Sequence, residues 1–262
     1  MNRLTSAYLV FLSALLVTGC NTDPAELRDE IRKAKSITII CCDSTANASV
    51  TGTSMMILGG TGALGIGSTK GNDDERTTKF YQAAGGSRLA LPPMFLAELR
   101  ENLTQQGYAV TTEYPHSFDG YNNRYQFDTS KVKSQLVLEV RYVGQIGEYQ
   151  RRYFPTLAAM FTVKRTADNK SLNSGMVATS DPGITSPLVL GVEMLRSPIL
   201  STLAPAGAVK YARVVNLDES QVVKGSDADL MANAKRLYAA TERANRDMAK
   251  LLASRIAVST PN

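Results

Sequence analysis

Residue types that do chemistry are scarce in this chain: of 262 residues, one is histidine, three are cysteine and none is tryptophan. His116 stands in a polar aromatic stretch, 115–125 (PHSFDGYNNRY). No acid or nucleophile lies at a spacing that would make it a general base, so it reads as a solvated loop residue. Cys41 and Cys42 are adjacent and close a β-branched run, 36–42 (SITIICC), that reads as a buried strand. Neighbouring side chains in a strand point to opposite faces, so the expectation is two buried free thiols acting as small hydrophobes rather than a vicinal disulfide. No histidine or further cysteine completes a ligand set around them, and no metal site is expected. Ser130-Lys131-Val132-Lys133 fits S-x-x-K, but the S-D-N and K-T-G partners of that hydrolase set do not accompany it. With neither a nucleophile elbow nor a metal-ligand cluster, no catalytic residue and no cofactor is expected, and the chain reads as a non-enzyme.

Composition narrows the class further. Hydrophobic residues make up 44% of the chain, so wholesale disorder is excluded, and the length suits one large domain or two small ones. Twenty-nine Lys and Arg against 24 Asp and Glu leave a net charge of only +5. No basic run stands behind that charge, so a nucleic-acid role is not expected. No self-similar period marks a repeat array.

The third cysteine carries the strongest motif. Arg3 precedes an apolar stretch, 8–17 (YLVFLSALLV), that leads into small residues and Cys20. A short charged segment, a short apolar segment and a cleavage site describe a secretory signal, whereas a spanning helix needs roughly 20 apolar residues. Val17-Thr18-Gly19-Cys20 resembles the lipobox of bacterial lipoproteins. The resemblance implies cleavage after residue 19, diacylation of Cys20, and a mature domain of residues 20–262 that is tethered to a membrane without spanning it. Each buried methylene contributes roughly 0.8 kcal/mol, so two or three acyl chains hold where one is marginal. In that family an Asp after the lipidated cysteine signals inner-membrane retention; Asn21 stands here, which implies the periplasmic face of the outer membrane. The tether is short, because Asp23-Pro24-Ala25-Glu26 reads as a cap, a first-turn proline and an acid opening a helix over 24–35, with Leu27, Ile31 and Ala34 on one face.

Residues 50–69 form a glycine-rich insertion that several readings fit. Gly60-Thr61-Gly62-Ala63-Leu64-Gly65 matches the dinucleotide pattern G-x-G-x-x-G, yet Gly and Ser follow where a helix should open. The spacing to Lys70, itself followed by Gly71, fails the P-loop pattern. Gly59, Ala63 and Gly67 recur every four residues, a small-residue face suited to a membrane-facing hairpin or an oligomer contact; a flexible loop or a buried glycine-rich turn fits as well.

The remaining elements position these candidates. Residues 70–88 read as a polar surface connection. Pro92 and Pro93 open a helix over 94–106 with Phe95, Leu96, Leu99 and Leu103 as its stripe, and 108–113 reads as a second strand. Strands 136–143 (LVLEVRYV) and 157–165 (LAAMFTVKR), then 171–178 beyond an Ala-Asp-Asn-Lys turn, make an antiparallel meander. Between the first two, 144–155 reads as a hairpin tip in which Arg151, Arg152 and Tyr153 are a candidate partner contact, with a solvated tip as the plainer reading. Prolines 182, 187, 198 and 205 punctuate an apolar segment, 181–209. A closing helix over 227–257 repeats Leu230, Leu237, Ala244 and Leu251 at seven, to pack across the sheet or to join a coiled coil.

The expected class is therefore α+β: an antiparallel sheet with helices packed on one face and a long carboxyl-terminal helix. That order of elements, over residues 37–178, resembles the periplasmic lipoproteins related to the curli-secretion pore and to the penicillin-binding-protein activators, departing from them at 181–209. The resulting expectation is an outer-membrane lipoprotein that binds envelope proteins or itself, with an oligomeric pore or secretion-associated lipoprotein, using the glycine-rich segment in the membrane, as the alternative.

Overall fold

The computed structural model describes residues 24–41, 48–51, 70–115, 117–119, 124–149, 151–180 and 213–257. Cys20, the Gly59/Ala63/Gly67 face, His116 and the proline-punctuated segment lie outside the described residues. The chain runs α1 (Pro24–Lys33), β1 (Ser36–Cys41), β2 (Val50–Thr51), α2 (Lys70–Ala84), α3 (Leu91–Gln105), β3 (Ala109–Glu113), β4 (Ser117–Asp119), β5 (Arg124–Gln126), β6 (Leu136–Tyr149), β7 (Arg152–Arg165), β8 (Ser171–Ser180), β9 (Arg213–Asn216), β10 (Val223–Lys224), α4 (Asp227–Ala232) and α5 (Ala234–Ala257).

An eight-stranded sheet in the order β3-β1-β6-β7-β8-β9, with β2 beside β6 and β10 beside β7, forms the centre of the α+β fold. The helices lie on one face, as the sequence leads one to expect, and α5 is the longest of those described. The sheet itself is mixed. Its antiparallel part is the β6-β7-β8 meander, while β1 runs parallel to both β3 and β6, and β9 runs parallel to β8.

The meander is longer than its sequence suggests. β6 and β7 pair from Leu136↔Arg165 to Tyr149↔Arg152, so the expected tip at 144–155 is strand, and only a two-residue turn remains, with Arg151 at φ +59°. Two glycines and a proline hid this. A Cβ on Gly144 would lie 2.5 Å from the Tyr142 hydroxyl, so the missing side chain makes room for the Tyr142 ring, which leans along its own strand. Pro155 sits in β7 without a lost ladder bond, because its partner Ile146 turns its N–H away from β7 to the Ser49 carbonyl at 2.8 Å. Pro155 likewise turns toward β8, where backbone pairing has ended at Ala158↔Ala178. There the Thr179 hydroxyl substitutes for backbone, accepting from the Leu157 N–H at 2.9 Å and donating to the Pro155 carbonyl at 2.8 Å.

Alternation sorts the strands into a helix face and an opposite face. Ile37, Ile39, Leu138, Val140, Ile146, Leu157, Phe161 and Val163 are buried toward the helices. Against them α3 brings Leu91, Phe95, Leu99 and Leu103, a stripe opened by Pro92 and Pro93 at the first helical positions as the sequence predicts. Fully burying one such side chain is worth about 1.5–3 kcal/mol. α5 lies over β7 and β8 and against α3, burying Leu237, Ala244, Met248 and Leu252, so its repeat is used within the core. The expected single closing helix is interrupted at Asn233, which follows the short, Ser226-capped α4. The second correction is α2: residues 70–84 are helical, not a connection, and bury Phe80 and Tyr81. On the opposite face a small cluster of Ile40, Val132 and Val137, with Phe127 beside it, covers the β1–β6 side.

Candidate functional site

Two ends of the sheet concentrate the polar side chains. At the first, α1 is fastened where β6 begins and β7 ends. Arg165 donates from Nε and Nη2 to the two oxygens of Glu30, both at 2.5 Å, and from Nη1 to Asp168 at 2.8 Å. The Arg165 hydrogen bond holds the Glu30 carboxyl below its ordinary value. Beside this pair an open groove of about 740 Å³ runs between α1 and the segment entering β6, with Glu26, Asp29, Lys33, Val132, Lys133 and Thr166 on its walls. The Thr166 hydroxyl is buried with no hydrogen-bond partner among the described residues.

At the other end stands the β6–β7 hairpin with its expected contact residues. The structure separates them. Tyr153 is 2% exposed, and its hydroxyl donates to Asp227 at 2.5 Å. Arg152 keeps 14% of its side chain exposed and reaches Glu219 at 3.5 Å, which also receives Lys224 at 2.9 Å. Only Arg151, at the turn, is exposed, so the three-residue patch is corrected to this one side chain. The reason is register: Tyr153 faces the helices as a strand residue, where a loop would have left it in water.

Arg76, on α2, joins the two sides of this end, meeting Asp227 at 3.1 Å and Glu148 at 3.3 Å. Burial works against the Arg76 charge, but Asp227, Tyr153 and Glu148 outweigh it and hold its pKa up. Burial, and then the bond to Asp227, push the Tyr153 hydroxyl far above the usual tyrosine value. Tyr153 therefore stays a neutral donor at physiological pH, unsuited to act as a base, and the cluster works as a latch holding α2 and α4 to the hairpin. Sequence reading missed Arg76, Glu148 and Asp227 as a set, since nothing in their spacing joins positions so far apart.

The base of the glycine-rich insertion lies next to this latch. β2 pairs with Ile146 and Gly147 of β6, and the Thr77 hydroxyl of α2 accepts from the Val50 N–H at 2.9 Å. Tyr81 adds a bond to the Ala48 carbonyl at 2.8 Å, and Ala48 donates to Leu89 at 3.0 Å. Both flanks of the insertion are thus tied to the body.

Cys41 is fully buried at the end of β1 and is disulfide-bonded, not the free thiol that alternation suggested. The other two cysteines, Cys20 and Cys42, lie outside the described residues. Among the described residues no group of three His, Cys, Asp or Glu side chains could hold a metal ion, and no helix is long and apolar enough to cross a membrane. Compared with known proteins, the chain matches no family model and no curated sequence.

Proposed function

We propose that the chain is a lipoprotein anchored through Cys20 on the periplasmic face of the outer membrane, where it acts without catalysis as a binding or assembly component of an envelope complex. The lipobox-like Val17-Thr18-Gly19-Cys20 supplies the anchor in this reading. The observation that carries it is the docking of α1, whose Ile31 is 1% exposed and whose Glu30 is clamped by Arg165. Three residues lie between that helix's first residue and Cys20, so the two are four positions apart, a reach of about 14 Å at most. A lipid there holds the α1 end of the sheet close to the bilayer. Leu136, in the α1 groove, and Gly147, beside β2, are eleven positions apart on β6, about 36 Å at roughly 3.3 Å per residue. The hairpin end and the base of the glycine-rich insertion are thereby presented away from the anchor, toward partner proteins.

A second reading, an oligomeric pore or secretion-associated lipoprotein, is favoured by one feature: the two described flanks of the glycine-rich insertion, β2 and α2, are tied to each other through the Val50 N–H and the Thr77 hydroxyl, so the insertion begins and ends at one place on the body. The deciding experiment is affinity purification of the full-length chain from mildly crosslinked membranes, with Cys20→Ala as the unanchored control. Cys20→Ala should leave the membrane fraction, and the anchored form should carry a stoichiometric envelope protein. A large homo-oligomer that loses its assembly when 59–67 is deleted establishes the pore reading instead. A bare monomer refutes both.

A further inference from the structure

Helix α5 turns one face to the core and leaves the other in water, and its charges are sorted by that division. The exposed charged residues of Ala234–Ala257 are Lys235, Arg236, Arg243, Arg246 and Lys250, and all of them are basic. At about 100° per residue they fall within an arc of about 100°, with exposed Ala239 among them, opposite buried Leu237, Ala244 and Met248. The acids of the helix, Glu242 and Asp247, are half-buried and stand one on each shoulder of the arc. From Arg236 to Lys250 the row runs about 21 Å at roughly 1.5 Å per residue. The net charge of the whole chain is +5, so this one narrow face carries as much positive charge as the entire molecule has in excess.

These cations do not serve the helix itself. Lys235 and Arg236 stand in its first turn, against the positive end of the helix dipole, and no acid there offsets them. Arg243 and Arg246, three apart, and Arg246 and Lys250, four apart, are like-charged neighbours that repel. The body offers them little: Arg236 donates to the Val222 carbonyl at 3.1 Å, Lys250 reaches Glu98 at 3.8 Å, and Arg243 favours the Asp218 carboxylate through space. Lys235 and Arg246 have no hydrogen bond or ion pair among the described residues. At the carboxyl end the crowding continues, where burial, and then Arg213 of β9, lower the pKa of Arg255.

The width of the row says what fits it. On the neighbouring helices the exposed charges are of both signs, Asp74, Glu75 and Lys79 on α2 and Arg100 and Glu101 on α3. A flat anionic surface laid over the helix layer would meet these carboxylates beside the cations. Among the described residues of α5 no large apolar side chain is exposed to enter a bilayer. A single acidic chain laid along α5 meets cations only. We propose that the outer face of α5 is a docking surface for an acidic helix of a partner protein, whose carboxylates recur at three- and four-residue steps to match Arg236, Arg243, Arg246 and Lys250. The surface belongs to the folded body and holds whether or not Cys20 carries lipid.

Lysine acetylation reads this surface residue by residue. The full-length chain is placed in vesicles of phosphatidylcholine with phosphatidylglycerol, and the probe is a synthetic alanine-rich helix carrying glutamates along one face. With peptide at about ten times its Kd, acetylation of Lys235 and Lys250 should slow by about tenfold while Lys79 on α2 is unchanged, since occupancy sets the free fraction. The same peptide with its glutamates reordered around the helix should give little protection. Arg243→Glu with Arg246→Glu should abolish the protection, and Arg88→Glu with Arg100→Glu, an equal change in net charge away from α5, should keep it. No protection by the one-faced peptide at any concentration, equal protection by both peptides, or equal loss in both double variants overturns the proposal. So does protection of Lys235 and Lys250 before peptide is added that disappears in vesicles of phosphatidylcholine alone, which would make the bilayer the occupant. The peptide comparisons use the unaltered chain, so they decide even where a double variant unfolds.

Discussion

The Tyr142 hydroxyl donates to Asn245 Oδ1 at 2.8 Å, joining the centre of the meander to the middle of α5. Asn245 is fully buried and passes the connection on, donating from Nδ2 to the Leu91 carbonyl at 3.0 Å where α3 begins. Burial pushes Tyr142 far above the ordinary tyrosine value, so its hydroxyl remains the donor. Asn245→Ala orphans two buried groups and Tyr142→Phe only one. The expected losses are about 2–4 and about 1–2 kcal/mol, read as urea midpoints at constant m. The reverse order would show that Asn245 does not bridge the two elements.

Gly144 is the space that Tyr142 occupies. A methyl group there would meet Tyr142 Oη at 2.5 Å and Leu91 Cδ1 at 2.9 Å. Gly144→Ala should cost about 1–3 kcal/mol through displacement of the ring. In a Tyr142→Ala background the same change should cost much less, and a double-mutant cycle that comes out additive would refute the contact.

Acid should loosen the α1 end first. Arg165 holds the Glu30 carboxyl below its reference value of 4.5, so the stabilisation is present above that value and is lost as pH falls through the lower folded value. Glu30→Gln should therefore lower the urea midpoint at neutral pH, and its deficit against the parent chain should shrink as pH is taken below 4.5. A deficit that stays constant into acid would mean the pair contributes no linked stability.

The hairpin end separates surface from structure. Arg151→Glu changes an exposed turn residue and should move stability by less than about 0.5 kcal/mol, while weakening capture of a partner that docks at the tip. Arg76→Gln leaves the Glu148 and Asp227 carboxylates beside the buried Tyr153 without their shared cation, and about 2–4 kcal/mol should be lost. Equal destabilisation by the two changes would contradict the latch.

Cysteine connectivity tests the anchor independently. A diacylated Cys20 has its sulfur in a thioether, and Cys41 is disulfide-bonded, so within a chain of three cysteines only Cys42 is left to pair with it. Mass spectrometry of a non-reduced digest should find Cys41 and Cys42 linked in one peptide and acyl chains on Cys20. A Cys20–Cys41 linked pair of peptides would sink the lipoprotein reading.

What could be read from sequence was local. Pro92 and Pro93 before a leucine stripe, and the alternation of Leu136, Leu138 and Val140, produce elements close to their expected places. The α2 helix was hidden because its residues 70–79 (KGNDDERTTK) are polar and its buried face amounts to little more than Phe80 and Tyr81; packing against β2 and α5, not propensity, makes it helical. Gly144, Gly147 and Pro155 imitated a loop since their tolerance in a strand depends on the direction of the Tyr142 ring, on Thr156 across the hairpin from Gly147 and on the end of the β8 ladder, which only the paired strands define. The two parallel pairings of β1 and the Arg76 latch join positions roughly 70 or more residues apart, beyond any periodicity.

Strand β1 has a history built into its neighbours. Ile37 pairs with Val110 on one side and Leu136 on the other, so both partners are synthesised long after it. While the chain is made from its amino terminus, SITIIC is an apolar strand with two unsatisfied edges, and it can close only when the β3 and β6 segments arrive. The earliest described strand thus waits for about a hundred further residues before its second edge is covered, and until then it is a part of the nascent chain with much to gain from a holding chaperone and much to lose from meeting a second copy of itself.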